Sequence, residues 1–168
     1  MPTATEIYRT HPTEQEIAEV LDLREIATLG SLNDDGSVHL AYVIFLFEDG
    51  VFRLETSSVT RKARNIAARQ AASIIVGGRA SSGRSLMVEA EGTARIVAPP
   101  ESVDLNRRVL AKYVVDGAVD DLNATWSRFD DICIELRPER WRSWTNTLLR
   151  AEAETGTGRS YSEIWKPD

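Results

Sequence analysis

The sequence predicts a mainly β fold: about six antiparallel strands closing, Greek-key-like, into a barrel, with helices inserted between strands. Three observations predict it. Short runs rich in Val, Ile, Tyr and Phe are separated by strong turn signals, Asn33-Asp34-Asp35-Gly36 and Glu48-Asp49-Gly50. Helical spacing interrupts those runs in the order α-β-β-β-α-β-β-α-β. Parallel β-α-β repetition, which a doubly wound sheet requires, is absent.

Each element follows from local chemistry. Thr13-Glu14-Gln15-Glu16 has the form of a capping box, and Ile17, Val20 and Leu21 recur at one helical face, so a helix is expected over Thr13–Leu23. Glu25–Asn33, Ser37–Phe47 and Val51–Thr56 read as a three-stranded meander around the two turns. Thr60–Arg69 reads as a short helix, with Thr60 as N-cap and Ala63, Ile66 and Ala67 at helical spacing. Ala72–Gly78 and Ser85–Val97 are strands, and Gly92 inside the second marks a bulge. Pro99-Pro100 ends it. Glu101–Val115 is helical, with Val103, Leu110 and Val114 on one face. Gly117–Trp126 reads as loop with room for a short helix. Asp131–Leu136 is the last core strand, which Arg140–Thr145 extends or pairs with.

The chain has 168 residues, 42% hydrophobic and 27% charged, a globular mix. One domain over 1–168 is expected, with its core at about 13–145 and a tail at 146–168. Tyr161 and Trp165 suggest that the end of this tail docks. The apolar runs, of which Ala41–Leu46 is the clearest, fall far short of the roughly 20 residues of a membrane span. Met1–Thr10 has no apolar segment of the kind a secretory signal carries, so cytoplasmic residence is the expectation. Cys133, the single cysteine, lies between Ile132 and Ile134 and reads as a small core residue.

The net charge of −6 argues against general nucleic-acid binding, but the charge is uneven. Between Val51 and Arg95, eight basic residues face three acidic ones. That segment carries +5 and the remainder −11. A basic centre in an acidic chain points to a local anion site.

The informative segment is Thr56-Ser57-Ser58-Val59-Thr60-Arg61-Lys62-Ala63-Arg64-Asn65. It leaves a strand, passes several hydroxyls and enters a helix whose first N–H groups favour an anion. Arg61, Lys62 and Arg64 crowd that N-terminus, where cations oppose the helix dipole unless an anion compensates. Arg gives bidentate contacts to phosphate and Lys a point charge. By these residues alone the segment is either a phosphate clamp or a solvated basic helix face.

The segment resembles the flavin-phosphate segment of the pyridoxamine 5′-phosphate oxidase-like superfamily, the split β-barrel flavin-binding proteins. Ala27–His39 resembles that superfamily's first hairpin. Glu89-Ala90-Glu91-Gly92-Thr93-Ala94-Arg95, followed by Pro99-Pro100 and the helical insertion Glu101–Val115, resembles its F420-dependent deazaflavin oxidoreductase branch. The resemblance covers roughly Glu25–Trp144. It implies a homodimer with a cofactor, FMN or F420, at the subunit interface and a small organic substrate. Arg61, Lys62 and Arg64 would hold the cofactor phosphate, with Thr60 beside them. Glu55, Thr56 and Ser57 would line the ribityl chain and ring edge. Tyr42 would pass beside the ring, and Ser85 and Met87 would approach it from the next hairpin. Arg79 and Arg84 would meet an F420 polyglutamate tail. Family members also include haem binders, so a flavin or haem carrier is the alternative to an oxidoreductase. Strand two lacks the basic residues of the pyridoxamine phosphate oxidases proper, which weakens a vitamin B6 oxidase reading.

In such a family the cofactor does the chemistry, and no Ser/His/Asp grouping is required. His39, Tyr42, Trp141 and Trp144 are candidate site neighbours or plain packing residues. Trp126 reads as packing or a dimer contact. The Asp120-Asp121 and Asp130-Asp131 pairs lack calcium-loop spacing and read as solvated loop charge.

Overall fold

The computed structural model describes residues 11–145 and 147–164. Seven strands form one antiparallel sheet: β1 (Ala27–Leu32), β2 (Val38–Val43), β3 (Leu46–Glu48), β4 (Val51–Ser57), β5 (Ala71–Arg79), β6 (Ser85–Val97) and β7 (Asp131–Thr145). Their spatial order is β2-β1-β5-β6-β7-β4-β3. The two edge strands, β2 and β3, are consecutive in the chain and separated only by Ile44 and Phe45. That short link draws the edges together and closes the sheet as a split β-barrel. The fold is mainly β, as expected.

The count is seven rather than six because the second expected strand breaks at Ile44–Phe45. The break has a tertiary cause. The Phe45 N–H donates to the Tyr113 hydroxyl at 3.2 Å, where an unbroken strand would bond its neighbour. The same hydroxyl donates to the Glu25 carbonyl at 2.9 Å. Phe45, fully buried, becomes a core residue at the corner. The last strand is continuous through Asp131–Thr145 and pairs with β6 along its length. That register shifts between Glu91 and Gly92. A Cβ on Gly92 would lie 2.0 Å from the Arg137 carbonyl oxygen, so only glycine fits the bulge.

Helices pack on this frame. In α1 (Glu14–Asp22) the capping box forms as its sequence requires: the Glu16 N–H donates to Thr13 Oγ1 at 3.2 Å and the Thr13 N–H donates to Glu16 Oε2 at 2.9 Å. Val20 and Leu21 bury its inner face. Glu16 also accepts from Ser82 Oγ at 2.6 Å and Arg84 Nη1 at 2.8 Å, which ties α1 to the β5–β6 hairpin. The Ser82 hydrogen bond is the leading cause that holds the Glu16 carboxyl below its ordinary range.

The second helix, α2 (Arg61–Arg69), ends at Gln70 in the left-handed region, and α3 (Glu101–Tyr113) lies against β4 and β7. A 3₁₀ turn at Asp116–Ala118 leads into α4 (Val119–Trp126), so the short helix for which Gly117–Trp126 left room takes all but its first two residues. Beyond the barrel are α5 (Thr147–Thr157) and α6 (Tyr161–Ile164). Met1–Thr10 and Trp165 lie outside the described residues.

The buried face of α3 differs from the expected one. Ser102, Asn106, Val109 and Leu110 are buried, whereas Val103 is exposed. The helix covers a polar patch on the barrel wall, so polar residues replace part of the apolar stripe. The barrel core itself is apolar, built from Leu29, Phe45, Phe52, Leu54, Ile66, Ile74, Val76, Leu86 and Ile134. Cys133 is buried, and burial pushes its thiol up to about 12.

Candidate functional site

The candidate site begins where β4 runs into α2. Alternation along β4 sends Leu54 and Thr56 inward and leaves Arg53, Glu55 and Ser57 half-buried on the outer wall. The turn after Ser57 is built by its own hydroxyls. Thr60 caps α2 by accepting from the Ala63 N–H at 3.4 Å, and its Oγ1 donates to the Ser57 carbonyl at 2.9 Å. Ser57 Oγ donates to the Phe129 carbonyl at 2.9 Å, anchoring the turn to the segment before β7. Asn65, buried on the inner face of α2, donates to Ser31 Oγ at 3.2 Å and Asn33 Oδ1 at 3.1 Å. The helix is thereby locked to the first hairpin.

A cleft of about 360 Å³ opens beside this turn, lined by Tyr42, Val43, Ile44, Glu55, Thr56, Ser57, Lys62 and Trp126. Five residues expected from the sequence meet here: Tyr42, Glu55, Thr56, Ser57 and Lys62. Trp126 joins them from α4. Its part was not legible, because an aromatic in a segment without clear periodicity gives no sign of where it packs.

The remaining expected residues stand elsewhere. Thr60 does not line the cleft and serves as the helix cap. Arg61 and Arg64 are exposed on α2, and Arg64 Nη1 donates to the Val59 carbonyl at 2.8 Å. Ser85 and Met87 are on β6. Tyr42 lies in one cross-strand row with Thr28, Ile75 and Glu89, so β6 is three strand spacings away, about 14 Å. Within one chain Ser85 and Met87 do not reach the cleft. Arg84 is engaged with Glu16 at the opposite hairpin. His39 is half-buried on β2, opposite Ser31. Among the described residues no group of three or more His, Cys, Asp or Glu is placed to hold a metal ion.

Two larger hollows lie away from this chemistry. One, of about 630 Å³, runs over the open face of β1, β2, β5 and β6, and the other, about 600 Å³, lies between α1 and β7. Trp141 lines the second, edge-on to Phe47 with ring centroids 5.5 Å apart.

Behind the cleft sits a feature that the sequence reading missed. Asp131, read as solvated loop charge, is 4% exposed. It stands opposite Ser57 across β4 and β7, on the same face as Glu55. Asn106 Nδ2 donates to Asp131 Oδ2 at 2.8 Å and to the Ile132 carbonyl at 3.1 Å, while Ser102 Oγ donates to the Asp131 carbonyl at 3.4 Å. These donors come from α3, far along the chain, so no local pattern announces them. Burial, then the neighbouring Asp131, pushes the Glu55 carboxyl up to about 8, against the pull of the Lys62 ammonium. Burial in turn lowers Lys62 below its ordinary value.

The cleft is walled by two aromatics, two hydroxyls, a carboxyl whose neutral form burial favours and a half-buried cation at a helix N-terminus. Such a set can hold a phosphate-bearing planar ligand. In fold the chain is similar to a conserved hypothetical protein of Mycobacterium tuberculosis, at 24% identity and a TM-score of 0.68 over 82% of this chain and 88% of that one. It is similar also to an F420 reductase, at 20% identity and 0.56 over 78% and 98%. A third relative in fold is the haem storage protein HutZ of Vibrio cholerae, at 17% identity and 0.61 over 79% and 93%. No curated protein matches the sequence. The family model of pyridoxamine 5′-phosphate oxidase matches residues 13–145, which spans the whole barrel and the cleft, and the chain therefore belongs to that family.

Proposed function

We propose that the protein is an oxidoreductase that binds a phosphate-bearing flavin or deazaflavin, FMN or F420, in the cleft between β2, β4 and α2. The observation that carries this reading is the meeting of Tyr42, Glu55, Thr56, Ser57 and Lys62 on one cleft, beside the first turn of α2. When bound, the cofactor would supply hydride transfer to or from a small organic substrate, and the chain supplies binding and orientation.

The residues divide that work. Lys62 and the exposed Arg61 place positive charge beside the α2 N–H groups, where a phosphate compensates the helix dipole. Thr56 and Ser57 offer hydroxyl oxygens along the wall, and Tyr42 and Trp126 offer flat apolar surface. Arg64 is directed at the Val59 carbonyl, so its contribution is to the turn more than to the ligand.

The site is completed by a second copy of the chain. Val38, Leu40 and Tyr42 are exposed on one sheet face, and Met87 and Trp144 lie on the same face of β6 and β7. Pairing two such faces would bring Ser85 and Met87 of one protomer to the other protomer's cleft. A single-domain, cytoplasmic homodimer is the form in which we expect the protein to act. Among the described residues no helix is long and apolar enough to cross a membrane. A non-enzymatic flavin or haem carrier is the second reading, favoured by the fold shared with a haem storage protein.

The test is a parallel titration of cofactor-free protein with FMN and with F420, read by cofactor and tryptophan fluorescence. Binding of F420 alone supports a deazaflavin-dependent reductase, and binding of FMN alone a flavin enzyme. Binding with no turnover against added reductants and acceptors favours the carrier. Binding of neither overturns the reading. Arg61→Ala with Lys62→Ala is expected to weaken binding about 10–100-fold, as loss of charge-assisted hydrogen bonds does.

A further inference from the structure

We propose that the hollow between α1 and β7 is a second ligand site, separate from the cofactor cleft, and that it takes a lipophilic cation: a flat apolar or aromatic body that bears an amine or another positive group. The inference goes beyond the cofactor reading and does not depend on it.

The sheet leaves this hollow open. β4 pairs with β7 only along Asp131–Leu136, whereas β6 follows β7 as far as Thr145. Past Leu136 the barrel wall therefore lacks its β4 strand. Trp141 and Ser143 stand opposite Ala90 and Val88, both buried, so they lie on the inner face of β7 and look onto α1. The space measures about 600 Å³, within the roughly 300–1,000 Å³ of small-molecule sites. It shares no lining residue with the cleft.

Its floor is apolar and one wall is aromatic. Ile17 and Leu21 come from α1, and Val88 from β6. Trp141 stands edge-on to Phe47 at 5.5 Å and tilted against Phe52 at 5.8 Å between ring centroids. Phe47 and Phe52 are themselves 4.6 Å apart. Phe52 is 1% exposed, so this cluster anchors Trp141 to the core although 45% of the tryptophan remains exposed. An indole held in this way presents flat apolar surface at little ordering cost, and its π face attracts cations.

The rim sets the sign of the charge. Glu14 and Asp22 line the hollow from the two ends of α1, about 12 Å apart along the helix axis. The other acids of α1 are committed elsewhere. Glu16 serves the capping box and Arg84, and Glu19 accepts from the Ser81 N–H at 2.8 Å. The cation of the lining, Arg142, is engaged with Glu91 at 2.5 Å and Glu89 at 3.4 Å. Lys112 offsets Asp22 in part, but its ammonium is held by the Leu21 carbonyl at 2.8 Å and the Phe45 ring at 3.9 Å. An incoming ligand therefore meets negative charge at the rim of an aromatic wall, which suits a cation and disfavours a carboxylate or phosphate. The cleft, with Lys62 beside it, has the opposite preference, so the two hollows sort ligands by charge.

Calorimetric titration of the full chain with three probes that share one ring tests the proposal: 2-naphthylmethylamine, 2-naphthylmethanol and 2-naphthoate, a cation, a neutral alcohol and an anion at pH 7. The amine is expected to bind about 3–10-fold more tightly than the alcohol at low salt, and naphthoate most weakly, with the spread shrinking as salt is added. Glu14→Gln with Asp22→Asn is expected to abolish that order and leave the alcohol bound. Trp141→Ala is expected to weaken all three by about tenfold. Ala18→Phe, at an exposed α1 position on the lining, fills the hollow and gives the same answer should Trp141→Ala fail to fold. Saturating FMN is expected to leave the three affinities unchanged. Failure of the amine to bind, binding indifferent to both Trp141→Ala and Ala18→Phe, naphthoate bound as tightly as the amine, or displacement of the amine by FMN each overturns the proposal. If FMN itself does not bind, the FMN form of the cofactor reading falls, while the probe titrations still decide this site.

Discussion

Glu55 and Lys112 are two ionisable groups that burial displaces in opposite senses. Glu55 is raised to about 8 from 4.5, so between those values the folded state binds more protons than the unfolded one. Stability therefore falls as pH rises from about 4.5 to 8. Lys112 lies 3.9 Å over the Phe45 ring, donates to the Leu21 carbonyl at 2.8 Å, and is lowered to about 8 from 10.5, chiefly by burial. There the unfolded state binds more protons, and stability rises with pH from about 8 until the Cys133 thiol, raised to about 12 from 9, offsets the rise above about pH 9. The pair predicts a shallow stability minimum near pH 8. Thermal melts across pH 5–10 are expected to show it. Glu55→Gln should flatten the lower limb and raise the midpoint at pH 8 by about 2–4 °C, the shift that one kcal/mol gives a chain of this size. Lys112→Met should flatten the upper limb. A wild-type profile that climbs steadily from pH 5 to 8 would contradict the assignment of Glu55.

Single elements show which features a sequence carries by itself. Thr60 caps α2 through the Ala63 N–H and braces the turn through the Ser57 carbonyl. Thr60→Ala is expected to cost about 1 kcal/mol, read as a lower denaturant midpoint, whereas Arg61→Ala leaves stability unchanged because Arg61 is exposed. Gly92→Ala is expected to cost about 1–3 kcal/mol by forcing a methyl group against the Arg137 carbonyl across the bulge. Both features were legible: a cap and an isolated strand glycine are local signals. The capping box at Thr13 was legible for the same reason. The break at Ile44–Phe45 was not, because its cause is the Tyr113 hydroxyl, 68 residues away. Nor was Asp131, whose partners Glu55, Asn106 and Ser102 come from two other elements. Val103 misled because amphipathic spacing presumes an apolar partner, and α3 packs on a polar wall. Local chemistry thus marked the turn into α2, while Glu55 and Asp131 come onto one face only through the pairing of β4 with β7.

At the scale of the molecule, the open sheet face and the cleft are parts of one argument. Its rows read across β2, β1, β5, β6 and β7: Tyr42, Thr28, Ile75, Glu89 and Arg142, then Leu40, Gly30, Ser73, Glu91 and Arg140. One end is apolar and exposed, with Leu40 at 65% and Tyr42 at 83%. The other carries ion pairs, Arg140 with Glu91 at 2.8 Å and Arg142 with Glu89 at 3.4 Å. Exposed apolar residues grouped on one sheet face are what the proposed association between two copies would cover. Its edge strand, β2, also forms one wall of the cleft through Tyr42, so the proposed association and ligand binding would share residues without sharing all of them. Leu40 can separate the two proposals, since it lies on the face and does not line the cleft. Leu40→Arg should leave the fold intact, because the side chain is already in solvent in a lone protomer. It is expected to halve the mass measured by light scattering. FMN or F420 affinity should fall with it by about tenfold or more if the second protomer supplies Ser85 and Met87, since each lost polar or packing contact is worth about one kcal/mol. Loss of the dimer with affinity unchanged would confine the binding site to one chain. An unaltered mass would mean that this face is not where two copies meet.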